Sequence, residues 1–169
     1  MAEEETVFSS KMSYTGIFSF KDFYKFCYDW VIDEINVGLF SEDKYSEKLA
    51  GDVKTIDVEW KGTKDLTDYF RERIQIVFAI KNMSQIKIKQ EGVEIDTNKA
   101  LVEVRVKGIM VKDYKGKFEM TGYKKFMRSV YEKYVIPAVL SELKLRISKD
   151  CDEFLGQAKA FLDLEGKRT

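Results

Sequence analysis

The spacing of hydrophobic residues changes period twice along the chain, and the changes divide it into helix, sheet and helix. Phe20, Phe23, Tyr24, Cys27, Trp30, Val31 and Ile35 share one helical face by their i, i+3, i+4, i+7 recurrence. Ser19 stands where a helix cap belongs, with Asp22 three residues on in the manner of a capping box, and Gly38 supplies a stop. A helix is therefore predicted over residues 19–37. Ahead of it, Thr6 to Phe18 mixes β-branched, aromatic and Ser residues and predicts a first strand behind an acidic tip at residues 1–5. The charged stretch Ser41 to Lys48 reads as a surface connection or a short second helix.

From Asp52 the period becomes two, which predicts an antiparallel sheet over residues 52–120. Ile56, Val58 and Trp60 alternate with Asp57 and Glu59. Phe70, Ile74, Ile76, Phe78 and Ile80 alternate with Arg71, Arg73 and Gln75, and Val102, Val104, Val106 and Met110 follow the same rule. Turns are expected at Gly62–Asp65, Asn82–Ser84, Glu91–Gly92, Asp96–Lys99 and Lys115–Gly116, the last leading into a short segment with Phe118 and Met120. Strands joined this tightly are antiparallel neighbours.

The helical period returns at Thr121, with Phe126, Met127, Val130, Tyr131 and Tyr134 on one side, and C-terminal helices are predicted over residues 121–165. Pro137, the sole proline, removes a backbone donor and predicts a kink or break. Beyond it, Leu140, Leu143, Ile147, Cys151, Phe154, Leu155, Ala158, Phe161 and Leu162 continue an apolar stripe; either the helix runs on, or Ser148 caps a separate last one. The fold class expected is α+β: one domain over residues 1–169, an antiparallel meander packed on an N-terminal helix and a long, Pro-interrupted C-terminal helical region.

Composition narrows function mainly by exclusion. The 29 basic and 29 acidic side chains cancel, which removes the global electrostatic case for nucleic acid. Histidine is absent, so His-based triads and the usual zinc and haem sites are excluded, and no glycine-rich phosphate loop occurs. No enzyme activity, cofactor or metal is expected. Cys27 and Cys151 have no metal or disulfide spacing. No apolar run approaches the roughly 18 residues of a membrane span, and the N-terminus lacks a secretory pattern, so a cytoplasmic location is expected.

Three candidate surfaces remain. Arg71, Arg73, Lys87, Lys89, Arg105 and Lys107 share the wet face of the sheet, a basic platform that could meet phosphates, although cross-strand pairing of Arg71 and Arg73 with Asp57 and Glu59 is the plainer account. On the apolar face, Trp60, Phe70, Glu72, Phe78, Val104 and Met110 could line a cavity for an apolar small molecule, with Glu72 as an inward polar anchor, or simply form a core. Leu140, Ile147, Phe154 and Phe161 recur every seven residues, which suits self-association or a protein partner, or packing on the chain's own sheet. Strand, helix, meander and long last helix, over about residues 7 to 147, form an order that resembles the helix-grip fold of the START and Bet v 1-like superfamily. That resemblance implies a curved sheet gripping the last helix around a cavity for apolar ligands. It rests on element order alone: the glycine-rich loop of the plant members has no counterpart between Gly51 and Lys61, and no functional residue carries over. The expectation is a non-enzymatic binding domain; the alternative is a structural or assembly subunit, viral or part of a larger complex, acting through its last helix.

Overall fold

Alternation of apolar and polar residues builds five strands: β1 (Glu3–Phe18), β2 (Leu39–Ala50), β3 (Val53–Asp65), β4 (Phe70–Gln90) and β5 (Val93–Lys112). In the computed structural model, which describes residues 3–116, 121–135 and 137–167 apart from the side chains of 132 and 135, they form one antiparallel sheet in the order β1-β5-β4-β3-β2. The first strand thus lies beside the last. Helix α1 (Phe20–Asp29) follows β1 and ends in a π-helical turn, Trp30–Ile35; α2 (Gly122–Val130) likewise ends in Tyr131–Val135; α3 runs from Pro137 to Lys167. The protein is α+β, an antiparallel sheet with helices on one face, compatible with a helix-grip-like arrangement.

Local chemistry accounts for the helix starts. Ser19 accepts a hydrogen bond from the Asp22 amide at 3.4 Å, and Thr121 accepts one from the Lys124 amide at 3.2 Å. Asn36, in the left-handed conformation with φ of 60°, ends the first helix two residues before the expected Gly38. Pro137 is the first residue of α3, where its missing N–H is no loss, so the interruption expected at this proline falls between two helices. Ser148 starts nothing: α3 is continuous for 31 residues, about 46 Å.

Several boundaries differ from expectation. Residues 39–50 are neither connection nor helix but the edge strand β2. The hairpin expected at Gly62–Asp65 turns instead at Leu66–Tyr69, where the Thr67 hydroxyl accepts from the Tyr69 and Phe70 amides. Asn82–Ser84 is a bulge inside β4, with Asn82 at φ of 56°, and Asp96–Lys99 lies within β5. A bulge and a turn share polar residues and positive φ, which is why the sequence confuses them. The turns at Glu91–Gly92 and Lys115–Gly116 are present, and Phe118 and Met120 lie outside the described residues. The acidic tip is the start of β1: Glu4 pairs with Arg73 at 2.6 Å, and Glu5 reaches Lys144 of α3 at 2.7 Å.

The core follows the inner face. Ile56, Val58 and Trp60 of β3, Ile74, Ile76, Phe78 and Ile80 of β4, and Val102, Val104 and Val106 of β5 are buried beneath Phe23, Cys27, Val31 and Ile35 of the first helix and Leu143, Ile147, Cys151, Phe154, Ala158 and Leu162 of α3. α3 packs tightly on β5 at Gly108. A methyl group built there would lie 2.7 Å from Ile147 Cγ2 and 2.8 Å from Cys151 Sγ. Gly108 therefore leaves room for the Ile147 and Cys151 side chains that a larger residue would not. Gly108→Ala is expected to lower unfolding free energy by about 1–3 kcal/mol through overpacking; a urea midpoint equal to wild type would show that α3 can shift without cost.

Candidate functional site

The pairing of β3, β4 and β5 puts the six expected ligand residues on the inner face. Phe78 is flanked by Val58 and Val104, Glu72 by Lys64 and Met110, and Trp60 pairs with Ile76. Trp60, Phe70, Glu72, Phe78, Val104 and Met110 are all buried, with Trp60 and Phe78 edge to face at 4.7 Å. They are packed on one another and on the helices. Four hollows among the described residues are lined by other side chains.

Glu72 is the exception in kind. It is buried among apolar neighbours, and neither carboxylate oxygen has a hydrogen-bond partner among the described residues. Burial pushes its pKa up to about 7, and the Asp150 carboxylate on α3 adds to the rise, while Lys64 and Arg146 oppose it. Asp150 is itself raised by burial. The Cys151 thiol, raised by burial and by these two carboxylates, is held protonated and unreactive. Two carboxylates at one spot could exchange a proton, but no substrate-sized hollow described here reaches them, and no cluster of His, Cys, Asp or Glu among the described residues is disposed to hold a metal.

The outer face does not sustain the basic platform. Arg71 pairs with Asp65 at 2.6 Å, Arg73 with Glu4 at 2.6 Å and Arg105 with Glu103 at 2.7 Å; by register Lys87 faces Asp96 and Lys89 faces Glu94. The pairing partners differ from those expected. Asp57 and Glu59 stand opposite Ala79 and Val77, because the hairpin turns four residues later than expected.

The last helix spends its apolar stripe internally. Ile147 and Phe154 are buried, Leu140 packs against the core, and Phe161 stacks on Phe26 with centroids 4.8 Å apart. Phe126, Met127, Tyr131 and Tyr134, expected on one side of a helix, are exposed, and the buried side chain of α2 is Arg128.

A hollow of about 390 Å³ opens where the inner face runs past α1 onto β2, lined by Phe20, Lys21, Tyr24, Glu42 and Tyr45. Tyr24 stands edge-on to both Trp60, at 5.1 Å, and Tyr45, at 6.2 Å. The Glu42 carboxylate accepts hydrogen bonds from the Tyr24 hydroxyl and, at 3.0 Å, from Trp60 Nε1. Burial and the bond to Glu42 push the Tyr24 pKa up to about 12, so the phenol remains a donor at neutral pH. Tyr45 is raised by burial and by its hydrogen bond to Glu47. A larger hollow of about 490 Å³, at Leu49, Asp52, Lys54, Met83, Ser84 and Gln85, is lined mainly by polar side chains and has no aromatic wall.

Sequence reasoning reached Trp60 but missed Tyr24 as a wall, and Glu42 and Tyr45 altogether. The cause is a register shift between Glu42 and Lys44, which puts Glu42 and Tyr45, three residues apart, on the same face opposite Trp60 and Val58. Strict alternation assigns them to opposite faces, so no period-two count finds this pair.

The titration of Glu72 has a definite sign. Its folded-state pKa, about 7, exceeds the ordinary value of 4.5, so the folded chain holds the proton more tightly and stability falls as pH rises through that window. Glu72→Gln is expected to remove most of this fall and to exceed wild type in stability above pH 7 by about 1–3 kcal/mol, leaving a smaller slope from Asp150. Urea unfolding across the pH range checks it; an undiminished slope in the variant would place the titrating group elsewhere.

Comparison of the chain with protein-family models, with curated proteins and with solved structures finds no match.

Proposed function

We propose that this chain is a non-enzymatic binding domain that takes a small apolar molecule bearing a hydrogen-bond donor, such as an aromatic amine, in the hollow between α1 and β2. The observation that carries this is the combination of walls and anchor: Phe20, Tyr24 and Tyr45 around the Glu42 carboxylate, with Lys21 also on the lining and Trp60 behind Tyr24. Its volume falls within the few hundred cubic ångströms of ordinary ligand sites. Aromatic faces beside a carboxylate favour a cationic or donor nitrogen over an anion. Glu42 makes two hydrogen bonds and no ion pair among the described residues, which leaves its charge available.

This reading moves the ligand from beneath α3, where Gly108 meets Ile147 and Cys151, to the open flank of α1. It keeps the helix-grip-like idea of a ligand held between sheet and helix, but with α1 as the wall. The absence of histidine and of any recognisable catalytic constellation supports binding over turnover. Assembly through the last helix finds less support, because Ile147 and Phe154 already lie inside the domain.

Benzylamine is a suitable probe, followed by tryptophan fluorescence, because Trp60 adjoins the hollow. Saturable quenching is expected, weakened at least about tenfold by Glu42→Gln, a loss appropriate to one charge-assisted hydrogen bond, and weakened again by Tyr45→Ala. Native mass spectrometry of the purified chain should then find a co-purifying small molecule that both variants lose. A wild-type chain without bound molecules, whose fluorescence ignores the probe, would sink the proposal.

A further inference from the structure

Helix α2 is built inside out. Tyr123, Phe126, Met127, Tyr131 and Tyr134 fall on one face of α2 and its π-helical turn, and all are exposed, Tyr123 by 72%, Phe126 by 62% and Tyr134 by 70%. The side that meets the body is polar: Arg128 donates from Nε to the Tyr69 hydroxyl at 2.7 Å and pairs with Glu3 at 3.0 Å, and Tyr131 also touches Tyr69, edge-on at 5.8 Å. A helix held by its arginine and displaying its aromatics reverses the usual arrangement. Such a patch marks a contact surface.

Charge identifies the partner. Residues 121–135 carry four cations, Lys124, Lys125, Arg128 and Lys133, against the single carboxylate of Glu132, in a chain whose charges balance only over its full length. Lys124 and Lys133 are exposed on opposite borders of the aromatic face, and Lys133 Nζ lies 5.3 Å from the Tyr134 ring centroid. We infer that α2 docks in the plane of an anionic lipid bilayer, with Tyr123, Phe126, Met127 and Tyr134 entering the interface and the bordering lysines meeting phosphate and carboxylate headgroups. Aromatic residues at headgroup depth and lysines at the edges are the chemistry of an interfacial helix.

A second copy of the chain fits less well. A helical face of 14 residues is about 20 Å long and about 10 Å wide, so a symmetric pair would bury roughly 400 Å², well below the roughly 1,200 Å² of a stable interface, and would bring the lysines together. A bilayer has no such threshold and supplies the opposite charge. No helix among the described residues is long and apolar enough to cross the membrane, so the attachment inferred is to one surface.

The test is flotation of the full chain with vesicles of phosphatidylcholine alone and of phosphatidylcholine and phosphatidylserine in equal parts. Binding to the mixed vesicles, weakened by added salt, is expected. F126S/Y134S and, separately, K124E/K133E should each reduce the bound fraction at least about tenfold with unchanged circular dichroism and urea midpoint, since all four side chains face solvent. Equal binding to both vesicle types, no binding to either, or variants that float like wild type would overturn the inference. So would a concentration-dependent dimer that F126S/Y134S dissolves while vesicles are ignored, which would assign the patch to a protein.

Discussion

The packing of Ile147 and Cys151 into the space that Gly108 leaves by lacking a side chain fixes where α3 lies, and the rest of the molecule follows from it. An antiparallel sheet with one apolar face is stable only when that face is covered, and here the cover must come from two helices lying side by side. With α3 pressed against β1 and β5, α1 is left the middle of the sheet, over Phe78 and Trp60, and Phe161 stacked on Phe26 closes the seam between the helices. A bulkier residue at Gly108 would lift α3 and open that seam.

Five strands are wider than two helices can roof, and the consequences appear at the margins. On the β2 side the inner face continues past α1, so Tyr24, Tyr45 and Glu42 stand around open space, with Trp60 packed behind Tyr24. Beneath α3, the same close packing strands a carboxyl group. Glu72 has the parity of an inward residue, no hydrogen-bond partner among the described residues and Asp150 nearby, and the outcome is a proton held more tightly than in water. Dry contact and a destabilised charge have one cause here.

The remaining helix shows that amphipathicity and burial are separate facts. α2 carries a well-formed apolar face, yet the body already has its roof by the time the chain reaches Thr121. What is left to bind it is the polar corner at Tyr69 and Glu3, so Arg128 turns inward and the aromatic face turns out. The asymmetry between α2 and α3, one stripe displayed and one consumed, is what separates a contact surface from a core.

The sequence by itself determined the helix capped by Ser19 and its buried face, the inward set Trp60, Phe70, Phe78, Val104 and Met110, the hairpin at Glu91–Gly92 and the stripe from Leu143 to Leu162. Each is a local period or a local turn preference, and period survives into the fold because side-chain direction is set by backbone geometry alone. Tertiary structure decided three things that period cannot carry. Bulges at Glu42/Lys44 and Lys81/Ser84 shift parity, which moved Glu42 and Tyr45 onto the inner face and carried β4 through an apparent turn. The hairpin between β3 and β4 turned at Leu66–Tyr69, which removed Asp57 and Glu59 as the partners of Arg71 and Arg73. And of two apolar helical faces, only the one that reached the sheet was buried, because periodicity says which residues share a face but not which face finds a partner.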